Sequence, residues 1–443
     1  MIDPELWQQF RGGIQQLPQM GQRTDMPDAE RVKRAKATFL NKINENAAVD
    51  LEACIHCGQC AEACHFYATT QDPKYTPIRK LDILRRFYRR EMGPFRWLFK
   101  FFSKDITAQE LEESQELVFD SCTECGRCSM ICPMGIDIAG MVGVMREGLA
   151  SADLIPDELR AVEQEQGGRG SIFGIGPDQL KEMAEKLTAS GLNVPVDKEH
   201  ADVMVVSTVM DIFLFHDALK GTAQIMNHLG LNWTIRSCGF EASNFGLLSG
   251  HDDVQRTATL RIIDEAIACG AKTVIVPECG HAYPALRWVG ANVYGKPLPF
   301  EVYAISEFIG REVKAGRLKV QPIGSSKKIT FHDPCKVSRG GGATQESRDA
   351  LNALGVDLHE TDPHGEMNWC CGGGAGVTLI NRAAPLRRKV FDLKVKQIEA
   401  TGADSLVTSC ASCRINFLVG KEDTGWDKPV ESLVELIAAN LAE

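Results

Sequence analysis

Thirteen of the sixteen cysteines fall into three ordered groups: Cys54, Cys57, Cys60 and Cys64; Cys122, Cys125, Cys128 and Cys132; and Cys335, Cys370, Cys371, Cys410 and Cys413. The first two groups are C-x2-C-x2-C-x3-C runs, a spacing that sets four thiolates around an iron-sulfur cube. A chain with two such runs moves electrons. The third group is one cysteine, 34 residues, an adjacent pair, 38 residues and then C-x2-C. Five thiolates exceed the need of one cube, so this group is expected to do chemistry.

In two-cluster ferredoxin modules the fourth cysteine of each run serves the other cluster. The expected cubes are therefore Cys54, Cys57, Cys60 with Cys132, and Cys122, Cys125, Cys128 with Cys64. Pro133 follows the second run in the usual way, whereas His65 replaces the proline after the first. Zinc is the rival reading, but zinc sites use paired C-x2-C spacings and not runs of four. Both cubes, with all four ligands from protein, read as a wire.

Adjacent side chains on extended backbone point in opposite directions, so Cys370 and Cys371 suit different irons of a larger or opened cluster. Gly372, Gly373, Gly374 and Gly376 permit close backbone approach to such a cluster. A phosphate-binding loop is disfavoured because no Gly-Lys-Ser/Thr follows. Gly340, Gly341 and Gly342 read as a tight turn after Cys335.

The elements that must position these thiols are read from periodicity. Residues 1–45 form a Gln-rich N-terminal helical arm with no chemistry assigned. Residues 46–150 hold the two cysteine runs, with Ile78, Leu81, Leu84 and Tyr88 at helical spacing between them and a break at Gly93-Pro94. Residues 151–200, rich in glycine, read as a linker with a short helix. Beyond them, the β-branched runs 203–207, 273–277, 328–333 and 405–409 alternate with amphipathic stretches such as 257–268 and 384–398, which argues parallel α/β structure. Residues 270–279 resemble 402–410, and Ser237-Cys238-Gly239 resembles Cys370-Cys371-Gly372. The expected fold is α+β multidomain: a helical two-[4Fe-4S] ferredoxin-like module, then two pseudo-symmetric α/β halves, 201–320 and 321–443.

The C-x34-CC-x38-C-x2-C pattern resembles the CCG domain of the heterodisulfide reductase family. Its fusion behind a ferredoxin module is similar to HdrD-type subunits and more so to DsrK-type subunits of membrane-bound complexes (DsrMKJOP). Pro277-Glu278-Cys279-Gly280-His281-Ala282, His332-Asp333-Pro334-Cys335-Lys336 and Trp369-Cys370-Cys371-Gly372 carry that likeness. The 38-residue second linker is slightly longer than the family range. The resemblance implies a noncubane [4Fe-4S] cluster on Cys335, Cys370, Cys371, Cys410 and Cys413, besides the two cubes. It further implies a haem b, quinone-reactive membrane partner and a disulfide, trisulfide or thiol substrate on a small DsrC-like sulfur carrier, in dissimilatory sulfur metabolism. The alternative is a non-catalytic electron-transfer subunit of a flavin dehydrogenase complex, of the GlpC or glycolate oxidase type.

The first half departs from the pattern. Ser237 stands for Cys370, Ala282 for Cys413, and nothing near Ser207 matches Cys335, so one catalytic cluster is expected. Cys238 and Cys279 are expected either to border the cleft or to be buried structural thiols. Cys269 is read as structural. His281 and His332 titrate near neutrality and are candidate proton donors for disulfide reduction, or else packed core histidines. His56 and His65 read as supports of the wire module.

From 79 to 104 there are nine Lys or Arg residues against Asp82 and Glu91, interleaved with Phe95, Trp97, Phe99, Phe101 and Phe102. The segment reads either as a docking element or as a solvated helix whose aromatics lie in the core. A net charge of -10 argues against nucleic-acid binding. No secretory leader is found, the longest apolar stretch is short of the roughly 20 residues that span a bilayer, and the thiols are spaced as ligands. A cytoplasmic protein, peripheral at the membrane through partner subunits, is expected. No flavin or nicotinamide motif stands out.

Overall fold

The computed structural model describes residues 2–324 and 326–442. Two four-stranded sheets follow a helical N-terminal region. In the first sheet β1 (Val203–Val205), β2 (Trp233–Thr234), β3 (Thr273–Val276) and β4 (Glu301–Ala304) lie in the order β2-β1-β3-β4. In the second, β5 (Lys328–His332), β6 (Asp357–Leu358), β7 (Ser405–Thr408) and β8 (Val430–Ser432) lie in the order β6-β5-β7-β8. All pairings are parallel, with Val203 opposite Thr273 and Ile329 opposite Ser405. The two halves thus share one topology. Their central strands are buried on both faces, which is why they read as unbroken β-branched runs.

Residues 2–45 are mainly two helices, Pro4–Met20 and Asp28–Lys42. Asp3 caps the first by accepting the Glu5 N–H at 2.8 Å, and Phe10, Ile14 and Leu17 make its buried stripe. Residues 151–200 are more ordered than the glycines suggested. They contain two 13-residue helices, Asp157–Arg169 and Pro177–Ala189, because Leu159, Val162, Leu180 and Ala184 supply a buried face. One continuous apolar core, including Phe10, Leu51, Phe119, Val205 and Ile329, runs through the helical region and both halves.

Arg146 fastens these parts. It is fully buried on the Ile138–Ser151 helix and donates to the carbonyls of Val118, Cys122, Leu248 and Ala375 at 2.7–3.0 Å. One side chain therefore ties a cysteine loop of the helical module to both α/β halves. Gly250 lets the first half approach, since a Cβ there would lie 2.6 Å from the Arg146 backbone.

Candidate iron-sulfur centres

The two C-x2-C-x2-C loops adopt one conformation. His56 and Glu124 both take left-handed backbone angles (φ 57° and 48°), and Gly58 and Gly126 follow with φ 81° and 77°. The repeated left-handed turn curls each loop so that its cysteines face inward. Short helices, Gln59–Glu62 and Arg127–Met130, then carry the third cysteine of each run. A single turn of π-helix, Glu116–Asp120, leads into the second loop.

Cys54, Cys57, Cys60 and Cys132 line one cavity of about 80 Å³, together with Ile78, Leu81 and Arg85. Cys64, Cys122, Cys125 and Cys128 line another of about 30 Å³, beside Lys80 and Phe66. Each cavity takes three thiols from one run and the fourth from the other. A tetrahedral zinc site, with Zn–S near ~2.3 Å, holds its sulfurs roughly 4 Å apart. Among the described residues neither set brings three sulfurs within 4.8 Å of one another, so the spread fits a cluster and not a single ion.

The five C-terminal cysteines converge at the carboxyl ends of the second sheet's strands, where parallel α/β folds place ligands. Cys335 follows β5, Cys410 follows β7, and Cys413 lies one turn into the Ala411–Thr424 helix. Cys370 and Cys371 arrive on residues 359–371 after the edge strand β6. Cys370 contacts Cys335, Cys371 and also Cys125 of the second cavity. The thiols hydrogen-bond to one another, and those that donate, Cys370 and Cys413, are held well above the ordinary thiol range. Hydrogen bonds from Cys370 hold Cys125 and Cys371 well below the ordinary thiol range, and one from Cys413 lowers Cys410, against the opposing effect of burial. Thiolate is the form that binds iron. Backbone N–H groups of Gly280 and Gly372 point at Cys410 Sγ and Cys370 Sγ, each at 3.4 Å.

A directed chain of hydrogen bonds supports Cys371. Buried Lys394 donates from Nζ to Asn368 Oδ1 at 2.6 Å, and Asn368 Nδ2 donates to the Asp333 carbonyl at 2.9 Å and to His332 Nδ1 at 3.3 Å. This assigns the His332 proton to Nε2, a buried atom with no hydrogen-bond partner among the described residues. Ligand atoms of His332, Cys371 and Cys413 lie within 4.8 Å of one another. Burial lowers the His332 pKa and pushes Lys394 down to about 8. Asp333 is held by a two-pronged ion pair with Arg348 at 2.8 and 2.9 Å, which fixes the start of the Cys335 loop.

Cations gather where the second cavity meets the third site. Arg127 donates to the Met367 carbonyl at 2.9 Å, and Arg339 donates to the carbonyls of Cys125, Glu366 and Asn368, each at 2.6 Å. Gly374 permits close contact here, since a Cβ would lie 3.3 Å from the Thr123 carbonyl. An open groove of about 550 Å³ reaches this junction past Cys125, His281, Cys335, Lys336 and Arg339. A tighter, mostly apolar cavity of about 70 Å³ lies behind it, lined by Phe10, Met210, Cys279, His281, Gly373 and Ser412 among others.

Several sequence expectations change. Cys238 does not join the site: the connection from β2 is short, Ser237 is tied to Asp197 at 2.7 Å, and the Cys238 thiol is exposed. Cys371 reaches its place only because residues 359–369 extend that connection in the second half. Cys279 does line the cavity, but burial keeps it a neutral thiol, its pKa pushed up to about 12. His281 does not suit a proton donor, because its Nε2 accepts the Ala375 N–H at 2.8 Å and burial lowers its pKa to about 3. It braces the glycine loop after Cys371. The aromatics of 95–102 are not in the core, since no residue of the Arg96–Phe102 helix is buried. Cys269 is buried, as a structural thiol would be. His65 is buried against Phe66, and Arg85 approaches His56 Nε2 at 3.3 Å.

Sequence reading passed over Lys394, Asn368, Arg127, Arg146 and the helical arm that brings Phe10 to the cavity. None carries a motif; the cations could only have been noticed as charges within otherwise apolar or cysteine-bearing stretches.

Residues 50–136 match the 4Fe-4S dicluster domain, and residues 329–418 match the cysteine-rich domain CCG. The chain is 27% identical to the Hdr-like menaquinol oxidoreductase iron-sulfur subunit 2 of Archaeoglobus fulgidus, with 88% of this chain and 79% of that one aligned. It is 28% identical to the HdrD polypeptide of the dihydromethanophenazine:CoB--CoM heterodisulfide reductase of Methanosarcina mazei, over 89% of this chain and 94% of that one. An Hdr-like menaquinol oxidoreductase iron-sulfur subunit of Archaeoglobus profundus is 26% identical, over 89% and 80%. The chain is therefore an iron-sulfur protein that joins a 4Fe-4S dicluster domain to a CCG cysteine-rich domain, related to HdrD-type heterodisulfide reductase polypeptides and to the Hdr-like iron-sulfur subunits.

Proposed function

We propose that the chain is the catalytic iron-sulfur subunit of an Hdr-like, membrane-associated redox complex. Electrons pass between a quinone-linked haem b partner and a disulfide, trisulfide or thiol substrate, on a small cysteine-bearing sulfur carrier of the DsrC kind, in dissimilatory sulfur metabolism. The names of the relatives support an oxidoreductase, and the two Archaeoglobus names, menaquinol oxidoreductase subunits, support a link to a quinone pool. No described helix is long and apolar enough to cross a membrane, so in this reading a partner supplies the membrane-spanning part and the chain sits on its cytoplasmic side.

The observation that carries the reading is the contact between Cys125 and Cys370. It sets a wall of the second dicluster cavity directly against the five-cysteine site, where a wire should end. When bound, two cubes on the crossed sets Cys54, Cys57, Cys60, Cys132 and Cys122, Cys125, Cys128, Cys64 supply single electrons, and a noncubane [4Fe-4S] cluster on Cys335, Cys370, Cys371, Cys410 and Cys413 supplies the sulfur chemistry. The chain's own groups do the rest. The groove past Cys335 admits the substrate, and Lys336 and Arg339 offer positive charge to a thiolate product. His332, a neutral imidazole oriented by Asn368, lies within 4.8 Å of Cys371 and Cys413 as a polar neighbour of their sulfurs, and the protons of the reaction enter with solvent through the open groove. Reduction of one disulfide takes two electrons and two protons and yields two thiols.

The test is anaerobic assay of the purified chain with a reduced viologen and a small disulfide. About twelve irons per chain are expected, as are thiol products. Cys335→Ser should abolish thiol formation and leave roughly eight irons. Full iron content without any thiol formation, from small disulfides or from a cysteine-bearing carrier protein, would leave only an electron-transfer subunit.

A further inference from the structure

The Arg96–Phe102 helix stands off the module on a braced base. Arg90, from the Asp82–Glu91 helix, donates to the carbonyls of Lys100 and Ser103, Lys100 pairs with Glu91 at 2.8 Å, and the Arg89 guanidinium lies over the Phe99 ring. Phe99 belongs to that base, whereas Phe101 and Phe102 meet each other edge to face on the surface, ring centroids 5.0 Å apart. Phe95, Trp97, Phe101 and Phe102 are 60%, 71%, 83% and 76% exposed. Soluble proteins seldom leave a contiguous apolar patch of this kind uncovered. On a helical projection, Trp97, Phe101, Leu98, Phe102 and Phe99 sweep about 200° of the surface, and Arg96 and Lys100 occupy the remaining arc. Among the described residues Arg96 and Lys104 make no ion pair, so their charges face outward.

We propose that this helix is a membrane prong that inserts its aromatic face into the headgroup region of an anionic bilayer. With Phe99 turned to the base, the exposed apolar arc runs about 140° from Trp97 through Phe101 and Leu98 to Phe102, opposite Arg96; an aromatic face edged by tryptophan and backed by cations matches an interfacial helix on anionic lipid. The cations meet the anionic headgroups. The prong also has an orienting consequence. Its supporting helix carries Arg85, which lines the cavity of Cys54, Cys57, Cys60 and Cys132, beside exposed Ile55 and Met134. Docking would hold that cavity one to two helical turns from the prong's base, since Arg85 precedes Arg89 and Arg90 on the same helix.

The test uses the cluster-loaded full chain and vesicles of phosphatidylglycerol and phosphatidylcholine, with pure phosphatidylcholine vesicles for comparison. Co-sedimentation with the anionic vesicles is expected, with quenching by brominated lipid that Trp97→Phe removes. The triple variant Trp97→Ser, Phe101→Ser, Phe102→Ser should lower vesicle partition about tenfold or more at unchanged iron content. Arg96→Gln with Lys104→Gln should erase the preference for anionic lipid. Failure of the wild type to bind vesicles, equal binding by the triple variant, or capture only by a detergent-solubilised membrane protein would each overturn the proposal.

Discussion

The guanidinium of Arg127 lies 3.6 Å from the centroid of the Trp369 ring. Arg127 sits between Cys125 and Cys128 of the dicluster module, and Trp369 immediately precedes Cys370. A cation stacked on an aromatic face, reinforced by a hydrogen bond to Met367, thus clamps the end of the proposed wire to the proposed reaction site. Arg127→Gln removes the stack and a positive charge. Stability should fall by about 2 kcal/mol in denaturant titration. The potential of the cluster at Cys122 and Cys125 should move negative by on the order of 40 mV, equivalent to about 1 kcal/mol for one electron. An unchanged potential in redox-titrated EPR would remove Arg127 from the electrostatics of the site.

Lys394 carries the second prediction. It is buried, donates to Asn368 and Gln397, and holds Asn368 so that His332 Nδ1 accepts and its proton sits on Nε2. Lys394→Met strands the Asn368 acceptor at a cost of about 1–3 kcal/mol. It should also lower the potential of the C-terminal cluster, because a buried cation favours the more negative, reduced state. The two cubes should keep theirs, and potentials measured cluster by cluster check this.

Glu278 gives a pH dependence with a definite sign. It is buried between the halves, accepting from Ser432 Oγ at 2.7 Å and from the Val434 N–H at 3.3 Å, and desolvation pushes its pKa up to about 8. The folded chain therefore holds a proton that the unfolded chain releases above about pH 4.5. Stability contributed by this neutral carboxyl is complete below that pH and is lost as pH rises towards 8. Glu278→Gln keeps a neutral acceptor. It should match the wild type near pH 4.5 and exceed it by on the order of a few kcal/mol at pH 8 in urea unfolding. Equal slopes for both proteins would contradict the assignment.

The crossed cysteine sets predict which cluster each fourth cysteine serves. Cys132→Ser should perturb the Mössbauer signature of the cluster on Cys54, Cys57 and Cys60, and Cys64→Ser that of the cluster on Cys122, Cys125 and Cys128. The reverse pattern would refute the crossing.

The cysteine spacing made the two wire sites and the reaction group legible from sequence, and the β-branched runs located β1, β3, β5 and β7. The edge strands β2, β4, β6 and β8 carry no β-branched run: β6 is Asp357-Leu358, and β4 and β8 each include a glutamate, Glu301 and Glu431. Cys238 misled because a local likeness to Cys371 hid the difference in the preceding connection. His281 misled because a histidine beside a cysteine suggests acid-base work, whereas its Nε2 is spent on Ala375. The Lys394–Asn368–His332 chain and the Arg127–Trp369 stack join residues far apart in sequence, so only the fold could disclose them.

The most direct test of the central claim is EPR of the anaerobically purified, oxidised chain with and without a thiol or sulfur-carrier disulfide. The account predicts a paramagnetic signal that depends on substrate and vanishes in Cys371→Ser while both cube signals persist. Cube signals alone, unchanged by substrate, would contradict it.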